Sequence, residues 1–352
     1  MKILMMAPLP PPSGGIASWT VRYRNYCVTH RIPLDIVNIA MRGKRAISEV
    51  MQRHFMDELL RTWSIYRELK DKIKKDKPDV LHINTSCSPL GVFRDAMCVF
   101  SVHNKVPIIL HCRCNIEDQL GTCFFSQCVF RYLVKKSTKV IVLNKFSREY
   151  VGRFAKNKAC FIPNFLEENM IDNNHMVRDE ISKVIYVGHV EKAKGLDQIV
   201  ETAKQMPDIE FSLIGAVRED ISVESLPSNV FIVGRVSTDE VQNYMKQADV
   251  FLFPSLSEGF SNAMVEAMGM GLPIIASNVG ANSEMIEGKG GIILSDNKSE
   301  IIKDAIIFIK DKDTRKRMSD WNVEKVKNTY LIDSVMPKYM NLYKSVIHNT
   351  SK

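Results

Sequence analysis

Glu258 and Glu266 stand eight positions apart in the segment PSLSEGFSNAMVEAMGMGLPIIAS, residues 254–277. The apolar run before it ends at Pro254, a loop carries Glu258, Gly259 and Phe260, and Ser261 or Asn262 can cap a helix running through Glu266 to Met270. Glu258 then lies in the loop and Glu266 about a turn inside the helix. Between them the N–H groups of Phe260, Ser261 and Asn262 have no partner within the helix. Such a set can hold a polyol and an anion together. One carboxylate accepts from sugar hydroxyls, the N–H groups take phosphate or hydroxyl oxygens, and the second carboxylate takes a ribose. For Glu266 alone, an ordinary acidic helix start reads equally well.

Two further loops suit a phosphate. GHVEKAKG at 188–195 places His189 and Lys194 ahead of the helix-like LDQIVETAKQM, where a lysine can reach a diphosphate and a histidine can donate to a phosphate oxygen. A solvated loop lysine is the plain alternative. PLPPPSGGIASW near the N-terminus has Gly14 and Gly15 leading into a helix expected from about Ile16, and adjacent glycines permit close approach to a phosphate at a helix N-terminus. Gly-Gly also makes simple turns. Cys112-x-Cys114 with Cys123 and Cys128 lacks a second close pair at finger-like spacing, so packed free thiols are expected and no metal site.

Loops of this kind need strands behind them. Six apolar, β-rich runs at 2–7, 34–39, 79–84, 107–112, 139–144 and 159–164 alternate with helix-sized segments. Six more, at 183–188, 210–215, 229–234, 249–254, 272–277 and 290–295, repeat the rhythm. Strands alternating with helices imply parallel sheets covered on both faces, here two doubly wound Rossmann-like α/β domains facing one another across a cleft. The expected division is 1–165, a polar linker at 166–182, then 183–329. A C-terminal amphipathic stretch at 330–352, interrupted by Pro337, either packs back on the first domain or caps the second. With 352 residues, 45% hydrophobic content and only 17 Gly and 14 Pro, collagen-like, low-complexity and disordered classes fall away.

Taken with ADVFLFPS before it, GxxxxxKG at 188–195, VGRV at 233–236 and the N-terminal PPSGGIA, the Glu258-x7-Glu266 segment resembles the retaining glycosyltransferases of family 4, which have the GT-B fold. The resemblance covers nearly the whole chain. It implies transfer of a sugar from a nucleotide diphosphate sugar, UDP-linked, to a saccharide or lipid-linked saccharide acceptor, with retention at the anomeric carbon and without a metal or other cofactor. It assigns Glu258 to the donor sugar's hydroxyls, Glu266 to the ribose, Lys194 to the departing diphosphate, and Gly15 to a phosphate through its N–H. Gly259, Phe260, Ser261 and Asn262 line the donor loop, and Arg235 and Val236 meet the base. His111 falls where the family has a histidine close to the transferred sugar; a satisfied strand-end histidine is the alternative. Two departures stand out: His189 replaces the family's usual arginine, and Phe165 follows Pro163-Asn164 where the family tends to have glycine.

The formal charge of +8 conceals two unlike halves. Residues 1–165 hold 27 basic and 12 acidic residues, giving +15, so the remaining 21 basic and 28 acidic residues give −7. Basic stretches at 61–77 and 131–140 suit an anionic membrane surface carrying a polyprenyl diphosphate-linked acceptor, rather than nucleic acid. All eight cysteines in the basic half favour a reducing cytosol, and neither a signal peptide nor a run of about 18 apolar residues is evident. The expected place is the cytoplasm, peripheral on the inner face of the plasma membrane, and the expected role is surface polysaccharide biosynthesis. Competing readings are a nucleotide-sugar epimerase or phosphorylase of the same fold and a non-catalytic sugar-nucleotide binder. A dehydrogenase is disfavoured because no G-x-G-x-x-G follows the first strand.

Overall fold

The computed structural model describes residues 1–11, 14–40, 55–218 and 226–350. They fall into two units, Met1–Pro163 with Met336–Lys352, and Asn164–Val335. All twelve apolar runs contain a strand. In the first unit β1 (Ile3–Ala7), β2 (Leu34–Asn38), β3 (Val80–Thr85), β4 (Ile108–Cys112), β5 (Lys139–Val142) and β6 (Ala159–Phe161) form a parallel sheet in the order β2-β1-β3-β4-β5-β6. Its helices are α1 (Gly15–Thr29), α2 (Phe55–Asp76), α3 (Pro89–Val102), α4 (Ile116–Leu120), α5 (Phe124–Lys136) and α6 (Lys145–Gly152). Buried parallel strands need apolar residues on both faces, which is why they read as near-continuous hydrophobic runs.

Strand alternation divides the work of β3 and β4. Leu81, Ile83, Ile108, Leu110 and Cys112 join the core beneath α2, α3 and α5. His82 and His111 point to the opposite face and meet aromatic rings from α1 and from α13 (Ile332–Thr350). The return of α13 to this unit is energetically reasonable despite Pro337 inside it. A helix-interior proline costs ~3 kcal/mol. Burying Met336, Tyr339, Tyr343 and Val346 offsets that at roughly 1.5–3 kcal/mol for each large side chain.

In the second unit β7 (Lys183–Val187), β8 (Glu210–Ile214), β9 (Val230–Gly234), β10 (Val250–Phe253), β11 (Ile274–Ser277) and β12 (Gly291–Leu294) are also all parallel, in the order β12-β11-β10-β7-β8-β9. The helices are α7 (Leu196–Lys204), α8 (Thr238–Lys246), α9 (Asn262–Gly269), α10 (Asn282–Ile286), α11 (Ser299–Phe308) and α12 (Lys312–Lys325). Asp249 fixes the amino ends of β7 and β10 side by side. Its buried carboxylate accepts from the Ser182 and Lys183 N–H groups, both at 2.9 Å, and from Arg178 Nη1 at 2.7 Å.

The stretch 166–182, expected as a linker, groups instead with the second unit. Leu166 and Met170 are buried, Leu166 exchanges backbone bonds with Tyr330 and Ile332, and the Asp172 N–H donates to the Gly269 carbonyl. Its few apolar residues are spaced among polar ones and carry no helical or strand period, which is why the sequence reads as a connector.

Candidate functional site

The strand order of the second sheet switches between β7 and β10, and open parallel sheets take ligands beyond the carboxyl ends of their strands at such a point. The two loops that leave this edge carry Lys194 and Glu258. Lys194 Nζ lies 2.6 Å from Glu258 Oε1 and donates to the Ser257 carbonyl at 3.1 Å. Ser255 Oγ lies 3.2 Å from the same carboxylate oxygen. Among the described residues the Lys194 and Ser255 contacts to this carboxylate both fall on Oε1, so Oε2 can meet a ligand. Both side chains keep part of their surface in solvent, 24% for Lys194 and 16% for Glu258.

Backbone close approach sets this geometry. Gly195 follows the short 3-10 helix Lys192–Lys194 with φ +87, and a Cβ there would stand 2.5 Å from the Pro254 carbonyl oxygen. The Leu256 N–H donates back to Ala193 at 3.1 Å, so the two loops are tied directly. Behind Glu258, Gly280 has φ +54 and a Cβ on it would overlap the Glu258 carbonyl, while the Ala281 N–H donates to Gly259 at 3.1 Å. Gly280→Ala therefore meets both a left-handed backbone penalty and a clash with the loop that carries Glu258. It should lower Tm by roughly 2–8 °C, from ~1–2 kcal/mol of strain. A thermal melt checks this, and an unchanged Tm would show that the loop yields without cost.

Ser261 caps α9, its Oγ accepting the Met264 N–H at 3.2 Å. Asn262 Oδ1 accepts from Asn164 Nδ2 at 2.7 Å, and buried Phe260 meets Tyr330 edge-on at 5.6 Å. Half-buried Glu266 lies in the middle of α9. His189 follows β7, its carbonyl accepting from the Tyr186 hydroxyl at 2.8 Å. The structure thus gathers Lys194 and Glu258–Asn262 at the switch point. Arg235 and Val236 leave β9, an edge strand two positions from β7. Gly15 and His111 belong to the first unit. Gly15 opens α1 behind Gly14; Pro12 and Ser13 of the expected glycine loop lie outside the described residues.

His111 is wholly buried, and both its ring nitrogens have protein partners. Arg113 Nη1 stands 3.2 Å from Nε2, and His82 Nε2 stands 3.1 Å from Nδ1. Because a guanidinium only donates, Nε2 accepts and the His111 proton resides on Nδ1, aimed at His82. By the same logic His82 carries its proton on Nδ1, 2.6 Å from Tyr343 Oη, which lies 2.8 Å from Tyr23 Oη. The Arg113 guanidinium lies 4.4 Å from the Trp19 ring centre, a cation–π contact worth ~2 kcal/mol when desolvated. Burial, with the Arg113 charge second, lowers the pKa of His82 to about 3 and that of His111 well below its ordinary value. The pair is neutral. In this arrangement His111 is a satisfied strand-end histidine, and contact with a sugar would require breaking its Arg113 bond.

Sequence reasoning missed His82, Arg113, Tyr343 and the Asn164 brace. A signal for His82 was present: a histidine inside the apolar run DVLHIN must find a partner when buried. All eight cysteines are free thiols, and among the described residues no group of three or more His, Cys, Asp or Glu side chains is placed to hold a metal ion.

The fold is GT-B, two Rossmann-like domains. A sucrose-phosphate synthase from Thermosynechococcus elongatus has a TM-score of 0.80 at 16% identity, with 99% of this chain and 100% of that one covered. Anabaena HepE, solved in complex with UDP-glucose, has a TM-score of 0.73 at 15% identity, covering 98% and 100%. Residues 181–311 match the family model described as Glycosyl transferases group 1. An uncharacterized glycosyltransferase of Methanocaldococcus jannaschii is 29% identical over 198 residues, 54% of this chain and 55% of that protein. The 2-deoxystreptamine N-acetyl-D-glucosaminyltransferase of Niallia circulans is 28% identical over 308 residues, 77% of each chain. The capsular polysaccharide biosynthesis glycosyltransferase CapM of Staphylococcus aureus is 22% identical over 323 residues, 81% of this chain and 83% of that one. Matches to the first of these relatives thus span about half its length, whereas the other two are matched over most of theirs.

Proposed function

We propose that the chain is a retaining glycosyltransferase of family 4 that moves a sugar from a UDP-sugar to a saccharide or polyprenyl diphosphate-linked saccharide during surface polysaccharide synthesis. The observation that carries this reading is the Lys194–Glu258 pair at the switch point of the second sheet, inside the segment matched by the family model. In the reaction the anomeric C–O bond to the diphosphate breaks, a bond to the acceptor oxygen forms on the same face, and the acceptor's hydroxyl proton passes to the departing diphosphate oxygen. Lys194 exchanges its contact with Glu258 for the diphosphate and neutralises the charge that develops as it leaves. Glu258 accepts from the donor sugar's hydroxyls, and the N–H groups of Gly259, Phe260, Ser261 and Asn262 serve the remaining oxygens. Glu266 takes the ribose hydroxyls, and Arg235 and Val236 lie along the base. Gly15, at the N-terminus of α1, gives an N–H to a phosphate oxygen. His189 adds a further donor, so that lysine, histidine and helix N-terminus together take the place of a metal ion. His111, at the carboxyl end of β4, is assigned a place close to the transferred sugar, where it exchanges its Arg113 bond for a sugar hydroxyl. The enzyme acts at the cytoplasmic membrane face, to which the basic first unit is drawn.

The test is a time course of UDP-sugar consumption with and without acceptor, with the product anomer assigned by NMR. Consumption only with acceptor and retained configuration are expected. Consumption without acceptor would point to an epimerase, and an inverted linkage would remove the family 4 assignment. His189→Ala should raise the donor KM about tenfold, the loss of one charge-assisted hydrogen bond. An unchanged KM and kcat would remove His189 from the diphosphate.

A further inference from the structure

We propose that the outer face of the layer formed by α2, α3 and α5 binds an anionic phospholipid bilayer, its aromatic side chains entering the interface and a lysine-lined cavity taking lipid phosphates. The inference rests, for its purpose, on the reading of the acceptor as lipid-linked. α3 packs between α2 and α5 and buries Val92, Cys98, Val99 and Val102. Its other side turns Leu90, Phe93 and Phe100 outward at helical spacing, with half-buried Met97 between the last two and Phe100 72% exposed. The two charged residues of α3 do not interrupt that stripe, because Arg94 and Asp95 are buried against each other at 2.7 Å.

The neighbouring helices extend it. The first half of α2 exposes Met56, Leu59, Leu60 and Trp63, again at i, i+3, i+4 and i+7, and the start of α5 exposes Phe124 and Phe125, the former at 76%. Exposed apolar side chains grouped on three helices that pack side by side suit an interaction site better than the scattered exposure of ordinary surfaces. What it meets is indicated by charge. Between the second half of α2 and the segment after α3 lies a cavity of about 550 Å³ lined by Lys70, Lys74, Lys77 and Lys105 over Ile73 and Val102. Among the described residues no carboxylate lines it, and Asp76 nearby is held by Lys2 at 3.0 Å. Aromatic and aliphatic side chains beside clustered lysines match the apolar–anionic layering of a phospholipid interface. Leu90 and Phe93 sit just beyond the carboxyl end of β3, so a bilayer on this face brings a lipid-linked acceptor to the edge of the sheet where parallel sheets take their ligands.

Co-sedimentation with vesicles of equimolar phosphatidylcholine and phosphatidylglycerol, and of phosphatidylcholine alone, tests the proposal. The full chain should pellet with the anionic vesicles at low salt and be released by high salt. The variant Phe100→Ser/Phe124→Ser/Phe125→Ser, altered only at exposed sites, should lose about tenfold or more in partitioning. Lys70→Gln/Lys74→Gln/Lys105→Gln should lose at least about tenfold and most of the salt dependence. UDP binding, measured on the same samples, should be unchanged in both. Equal partitioning onto neutral and anionic vesicles, or variants that bind like the parent, would overturn the proposal while leaving the donor site intact. Self-association by light scattering that is abolished by the phenylalanine substitutions, without vesicle binding, would assign the face to a second copy instead. Absent UDP binding with vesicle binding retained would overturn the catalytic reading alone.

Discussion

Lys194→Ala should reduce kcat about 10²–10³-fold, the usual loss when a preorganised cation or donor is removed from developing charge. The fold should survive the change. Lys194 keeps 24% of its side-chain surface in solvent, and its removal leaves Glu258 partly solvated and still within reach of Ser255. Tm is therefore expected to move little, which separates a chemical loss from a structural one. Lys194→Arg should recover only a fraction of the activity. Gly195 packs against Pro254 directly behind the lysine, and the broader guanidinium does not reproduce a compact ammonium in that space. Wild-type kcat in Lys194→Ala would place the departing diphosphate elsewhere.

The second large effect is on stability and comes from the first unit. His82 is held at about 3 by burial and by the Arg113 charge, whereas the unfolded chain titrates near the ordinary histidine value of about 6.5. Between these values the unfolded state binds a proton that the folded state refuses. The stability is thus fully present above about pH 6.5 and lost as pH falls toward about 3. At pH 4.5 the loss from His82 is about 3 kcal/mol, a large share of the ~5–15 kcal/mol that holds a typical domain together. His111, depressed by the same causes, adds to it in the same direction. Urea unfolding at pH 7 and pH 4.5 measures the difference. His175, also lowered chiefly by burial, contributes a share, so His175→Asn should retain most of the effect. A pH-independent stability across this window would show that the buried pair already accepts a proton in the folded protein.

Much of this architecture could be read from residues because parallel strands advertise themselves. VLHINT and IILHC are buried along their whole lengths and follow the apolar runs closely. The loops at the switch point were legible for a different reason: glycine beside Lys194, and Glu258 before a capped helix, are residue types that ordinary strand-to-helix turns do not require together. Partners distant in sequence were not legible. Tyr343 meets His82 across 261 positions, and nothing local to either signals the other. The face on α2 was hidden by its own pattern, since Leu59, Leu60 and Trp63 at helical spacing resemble a core stripe until the structure shows Ile65, Leu69 and Ile73 filling that role. Leu166 and Met170 show the converse, apolar residues too sparse to register a period yet buried by the second unit.

Isothermal titration of UDP into the parent protein and into Lys194→Ala tests the central claim most directly, because it requires no knowledge of the acceptor or of the transferred sugar. The parent should bind UDP and the variant at least about tenfold more weakly, the loss of a charge-assisted contact worth ~1.5–3 kcal/mol. Equal affinity in the two proteins would contradict it.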